Sequence, residues 1–147
     1  MTHELTVDRV FEAGAEAVYD AYISPEAQKV WLREGQDPGF VLETECDPRV
    51  GGTWTATWGP RRDELYTETN VFEVLDRPRR IVTDTVTSSY DGTSVHTRVE
   101  ITFEEQDGKT RMTVHQTGFE SSEIRDFFQT VAWPGAFDQL DTYFTRR

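Results

Sequence analysis

Positive charge is what this sequence has least of. Two lysines, Lys29 and Lys109, and thirteen arginines stand against 27 acidic residues, for a net charge of −12. That balance argues against nucleic acid and anionic membrane surfaces as partners, because both would be repelled. The acid is spread along the chain rather than gathered into a tail, which reads as a solvated surface. Cysteine is nearly absent. Cys46 alone cannot form an internal disulfide, which fits a reducing compartment, with the cytoplasm as the expected location. No apolar run approaches the ~20 residues of a membrane-spanning helix. The opening MTHELTVDRVF alternates in polarity where a signal peptide would be continuously apolar. Repeats, low-complexity segments and linkers are missing too. One domain over residues 1–147 is expected, with 36% hydrophobic and 12% aromatic residues to build its core.

What the chain does have is alternation. ELTVDRVFE sets Leu5, Val7, Arg9 and Phe11 against polar neighbours and reads as a first strand. GAEAVYDAYIS predicts a short helix that buries Val18, Ala21 and Tyr22. Ser24-Pro25 starts a second short helix carrying Val30, Trp31 and Leu32, since proline suits a first helical turn. The chain then turns β-rich, with a strand expected from Phe40 to Asp47. TWTATW puts Trp54, Ala56 and Trp58 on one face and three threonines on the other. Leu65 to Leu75 predicts a long strand whose one face shows Tyr66, Glu68, Asn70, Phe72 and Val74. Arg80 to Ser88 predicts another, with Ile81 and Val82 competing for its inward face.

The clearest local signal is a hairpin. Asp107-Gly108 sits between two alternating runs and supplies the residues a type I′ turn requires. A two-residue turn there sets Phe103 opposite Met112, Ile101 opposite Val114 and Val99 opposite Gln116. The other face then pairs Glu104 with Arg111 and Glu100 with His115. Apolar and charged faces agree, so a one-residue slip is disfavoured.

Ser121 to Arg146 is helical in pattern but not in one piece. Ile124, Phe127, Phe128 and Val131 form one stripe, and Trp133, Phe137, Leu140 and Phe144 form another on nearly the opposite side. Pro134, which lacks a backbone donor, lies between them, so a bend or a break in hydrogen bonding is expected at Trp133 to Gly135. The second stripe reads as core. Adjacent phenylalanines cannot both face one narrow core, so Phe127 or Phe128 is expected at a pocket mouth or at a contact between two copies of the chain, a homodimer.

Five separated stretches carry a resemblance: AEAVYDAYISPEAQKVWL, DPRVGGTW, the Glu73 of NVFEVLDRPRRIV, VEITFEEQDGKTRMTV, and GFE with AWPGAFDQLDTYF. In order and spacing they resemble bacterial proteins related to the activator of the ninety-kilodalton heat-shock chaperone ATPase, within the START-like, helix-grip superfamily. Asn70 and Ala132 stand where glycines are usual in those relatives. The resemblance implies an α+β fold, a curved antiparallel sheet wrapped around a long C-terminal helix, with two short helices after the first strand. It also implies an internal cavity for a small hydrophobic or aromatic molecule in a carrier, sensor or sequestering protein, and a link to the stress response. A polyketide cyclase-type enzyme and a chaperone-interacting module are the alternatives. The chaperone activator itself carries a further N-terminal domain for which this chain has no room, so a chaperone partner is not expected.

On a sheet curved in that way Trp54, Trp58, Tyr66 and Phe72 face the helix, where they either pack the core or line the cavity. Glu68 and Asn70 share their strand face, and a few polar groups in an aromatic pocket are the usual makings of a ligand site. Phe128 and Trp133 complete the expected ligand-binding set from the helical side. For an enzyme, Glu68 or a nearby tyrosine would be the acid or base. No metal is expected: His115 and His96 lie about 13 Å apart along the charged face at the strand rise of ~3.3 Å per residue. Cys46 reads as a buried, inert thiol. Without a phosphate-binding glycine loop, no cofactor is expected either, Gly51-Gly52 being a turn at a strand start.

Overall fold

The computed structural model describes residues 1–146. Seven alternating segments form one antiparallel sheet: β1 His3–Phe11, β2 Val41–Cys46, β3 Thr53–Gly59, β4 Tyr66–Asp76, β5 Arg80–Ser88, β6 Ser94–Gln106 and β7 Lys109–Phe119. Their spatial order is β1-β7-β6-β5-β4-β3-β2, so the first two strands of the chain are the two edges. Helices α1, Ala15–Ile23, and α2, Pro25–Trp31, cross from one edge to the other. The chain closes with α3, Ser122–Phe127, a π-helical turn at Phe128–Ala132, and α4, Trp133–Thr145. This is the expected α+β helix-grip architecture, with the curved sheet wrapped around the C-terminal helix.

The hairpin has the expected register throughout, including Phe103 with Met112 and Glu100 with His115. Asp107 and Gly108 both hold the positive φ of a type I′ turn, at 56° and 79°. The charged pairing is redistributed by the neighbouring strands. His115 meets Glu4 of β1 at 3.3 Å, while Glu100 takes Arg80 of β5 at 2.6 Å.

One strand breaks its own alternation. In β4 the register shifts between Phe72 and Val74, leaving Glu73 as an extra, exposed residue. The bulge swaps the faces beyond it. Phe72 stays on the concave side opposite Thr83, but the next inward residue is Leu75, opposite Ile81, and Val74 turns outward against Val82. The expected face of Val74 is thereby corrected, and on β5 it is Ile81 that joins the core cluster, Val82 being equally buried but on the opposite face beside Val74.

The end of α1 shows how a helix stops without a glycine. Its last carbonyls lack intrahelical partners, and Ser24-Pro25 begins the next helix at once. Ser24 N–H donates to Asp20 O at 2.8 Å. Trp31 Nε1 donates to Ala21 O at 2.8 Å, Gln28 Nε2 to Tyr22 O at 2.7 Å, and Cys46 Sγ to Ile23 O at 3.2 Å. Cys46 is therefore half-buried rather than buried, and its thiol has a task; burial pushes its pKa up to about 11.

The C-terminal break lies one turn ahead of its expected place. Trp133 N–H reaches back five residues to Phe128 O, and the π turn ends where Pro134 removes the next donor. Beyond it, Phe137 and Leu140 are buried and Phe144 packs beside them. Phe11 of β1 meets Phe137 and Phe144 edge-on at centroid distances of 6.0 and 5.5 Å. The core thus fills the end of the grip that α4 covers. The other end is open.

Candidate functional site

A cavity of about 890 Å³ occupies that open end. Its floor is the concave face of β3, β4 and β5, its roof runs from Glu123 to Gln139, and one side wall is the α2–β2 connection, Leu32 to Leu42. Gln139 Nε2 ties this connection to α4 by donating to the carbonyls of Leu32 and Glu34, both at 3.0 Å. The register of β3 on β4 sets the order of the floor in three rungs: Trp54 opposite Asn70, Ala56 opposite Glu68, and Trp58 opposite Tyr66. Trp58 and Tyr66 stack with centroids 5.9 Å apart and 24° between planes. Trp54 stands edge-on to Tyr22 of α1 at 5.2 Å, and its Nε1 donates to Thr44 at 3.0 Å. Alanine in the middle rung leaves a recess beside Glu68, flanked along β3 by two indoles.

The polar groups of the floor form one chain. Thr83 donates to Thr85 at 2.8 Å, and Thr85 donates to Asn70 Oδ1 at 2.8 Å. Asn70 Nδ2 donates to Trp54 O at 3.4 Å and to Glu68 Oε1 at 3.3 Å, so both sides of its amide are committed. Thr87 donates to Glu68 Oε2 at 3.0 Å. The chain ends at Glu68, whose carboxyl retains capacity toward the cavity. Burial raises its pKa, an effect opposed in part by the Asn70 and Thr87 hydrogen bonds. Burial likewise raises the Tyr22 phenol, with the Glu68 charge adding to the effect.

On the roof, Trp133 Nε1 donates to the buried Gln116 Oε1 at 2.8 Å, and Gln116 Nε2 donates to Thr97 at 2.9 Å. Phe128 rests on Phe119 at 5.2 Å, and Phe127, 55% exposed, meets Phe128 edge-on at the mouth. The π turn allows this division. Ile124, Phe127 and Phe128 face the cavity, whereas beyond the turn Phe137 and Leu140 face the core while Trp133, Ala136 and Gln139 still line the cavity.

Of the residues the sequence singles out, Trp54, Trp58, Tyr66, Glu68, Asn70, Phe128 and Trp133 line the cavity. Phe72 does not. It is 1% exposed and belongs to the core, one rung beyond Asn70 and short of the bulge. Trp54 and Trp133 do both jobs, packing the core and facing the space. Tyr22, Gln116, Thr85 and Thr87 also line it and were not singled out. The shared parity of Thr83, Thr85 and Thr87 was the available signal for β5. Among the described residues no cluster of three His, Cys, Asp or Glu could hold a metal ion, and His96 pairs with Asp84 at 2.7 Å.

Comparison with known proteins agrees with this fold. The family model described as Activator of Hsp90 ATPase homolog 1-like protein matches residues 12–145. No curated protein matches the chain. Among solved structures, a protein of Rhizobium leguminosarum superposes with a TM-score of 0.76 at 20% identity, covering 100% of this chain and 97% of its own. A protein of Chromobacterium violaceum gives 0.78 at 21% identity, with 95% of each chain covered. One from Mycobacterium smegmatis gives 0.72 at 22% identity, covering 95% of this chain and 88% of its own. At these identities the likeness is one of fold.

Proposed function

The chain belongs to the Activator of Hsp90 ATPase homolog 1-like family, and from that premise we propose that it binds a small hydrophobic or aromatic molecule between sheet and C-terminal helix, as a carrier, sensor or sequestering protein. The carrying observation is the cavity itself. Its volume of about 890 Å³ suits a ligand of drug size, its walls are mostly apolar with many aromatic rings, and one carboxyl closes its polar chain. Burying one aromatic ring there contributes on the order of 2 to 3 kcal/mol by apolar area. A second ring or a hydrogen bond to Glu68 brings binding into the micromolar range once association costs are deducted.

The chaperone-module reading needs a surface patch apart from the cavity. Among the described residues the exposed large hydrophobics are scattered, and Phe127 and Val131, which lie one helical turn apart, sit at the cavity mouth. The enzyme reading has one observation in its favour, a carboxyl of raised pKa in a cleft. It requires turnover that Glu68→Gln abolishes without weakening binding.

All four tryptophans of the chain line the cavity, so occupancy must register in intrinsic fluorescence. A panel of aromatic and acyl compounds is titrated against the wild type and Trp58→Ala. Saturable shifts that weaken in the variant are expected. A panel that leaves emission unchanged at every concentration would refute ligand binding.

A further inference from the structure

The charged residues around the cavity are all of one sign. Glu34, Glu68, Glu123 and Asp138 line it, and among the described residues no lysine, arginine or histidine does. Two of the four are locally balanced: Glu34 by Arg146 at 2.9 Å and Asp138 by Arg9 at 3.1 Å. Glu123, at the mouth, and Glu68, on the floor, have no ion-pair partner among the described residues. Glu68 is set in a recess opposite Ala56, between the flanking indoles of Trp54 and Trp58 and one rung from the stacked Tyr66 ring. A carboxylate in a recess bordered by aromatic side chains is a chemical description of a cation's seat.

Resting on the ligand-binding reading, we infer that the cavity selects a lipophilic cation: an aromatic or alkyl body bearing a protonated amine or quaternary ammonium, with the charged head on Glu68. Each alternative head group meets a specific obstacle. A fatty-acid-like carboxylate would place like charges in contact in a desolvated recess with no counter-ion. A neutral head gains a hydrogen bond to Glu68 but forgoes the ion pair and the attraction of a cation to the neighbouring rings. The net charge of −12 also raises the local concentration of cations at the mouth.

Binding of such a ligand is linked to the proton on Glu68. The groups facing that carboxyl are Tyr22 from α1, Asn70 from β4 and Thr87 from β5, with Glu34, Glu123 and Asp138 the other charges of the cavity. None is a cation. An arriving ammonium favours the ionised carboxylate, so its affinity rises with pH through the raised Glu68 pKa, whereas a neutral ligand's affinity does not.

The test uses three terminal-phenyl probes of equal chain length, phenylhexylamine, phenylhexanol and phenylhexanoate, which leave tryptophan excitation at the red edge undisturbed. The amine is expected to bind about tenfold tighter than the alcohol near pH 8, with the carboxylate weakest. The amine stays protonated below its own pKa, so loss of its advantage as the pH falls reports the protein's carboxyl. Glu68→Gln should equalise amine and alcohol; if that variant does not fold, the order of the three in the wild type decides alone. An alcohol or carboxylate that binds as tightly as the amine overturns the cation inference and leaves ligand binding standing. Failure of all three to perturb the emission removes both.

Discussion

Replacing Gln28 with methionine isolates the join between α1, α2 and the cavity wall. Gln28 is fully buried; its Nε2 donates to Tyr22 O at 2.7 Å and its Oε1 accepts from Thr44 at 3.4 Å. Methionine keeps the volume and removes both polar atoms. A buried carbonyl stripped of its donor costs about 1–3 kcal/mol, and the long Thr44 contact contributes about 0.5 kcal/mol more. Burying a thioether in place of an amide returns roughly 0.5–1 kcal/mol. The net expectation is a destabilisation of about 2 kcal/mol. With a urea slope of ~2 kcal/mol/M for a chain of this size, the midpoint falls by about 1 M. The melting temperature falls by about 4–8 °C. Equilibrium urea unfolding followed by tryptophan emission reads this directly, and an unchanged slope assigns the shift to stability. A midpoint equal to the wild type's would refute the reasoning, because the Tyr22 carbonyl would then not depend on the Gln28 amide.

Two further substitutions probe other junctions. Glu68→Gln is expected to match the wild type in stability at acid pH and exceed it at alkaline pH. A carboxyl whose folded pKa is raised holds its proton better in the folded chain, so stability falls as pH climbs from the unfolded value through the folded one. Thermal melts across pH check the sign, and a variant less stable than wild type at alkaline pH contradicts it. Glu105→Ala removes the carboxylate that accepts from Ala15 N–H at 2.7 Å and caps α1, whose own N-cap residue, Gly14, has no side chain to offer. A loss of about 1 kcal/mol is expected in chemical denaturation, and an unchanged midpoint would show the cap to be idle.

Much of this arrangement could be read from residue order, and the exceptions have identifiable causes. The β6–β7 register followed from one Asp-Gly pair and two faces that agreed. The floor followed from strict alternation in TWTATW and in Tyr66 to Asn70. That alternation failed at Glu73, because a bulge is a backbone event: nothing in Val-Phe-Glu-Val-Leu marks which residue loses its partner, and pairing with β5 decides. Phe72 was misplaced for a related reason. Residues sharing a face need not share a neighbour, and the core takes over from the cavity one rung beyond Asn70. Pro134 revealed that the helix must break, but the break travelled to the preceding turn, where the missing donor is absorbed. Tyr22 read as core because its helix buries it. Its second surface, toward the cavity, depends on strands far away in sequence.

The end of α1 has a consequence for chemistry done on the whole protein. Cys46, the sole thiol, holds the last carbonyl of that helix, and with its pKa near 11 roughly one molecule in a thousand carries a thiolate at pH 8. Alkylating reagents therefore react slowly with the half-buried thiol of the folded chain and faster once its bond to Ile23 opens. Labelling kinetics at increasing urea then separate local excursions, which need little denaturant, from the global transition. The protein carries a single-site reporter on the wall that holds Tyr22 and Trp54, and a ligand lodged against those two rings should slow its labelling.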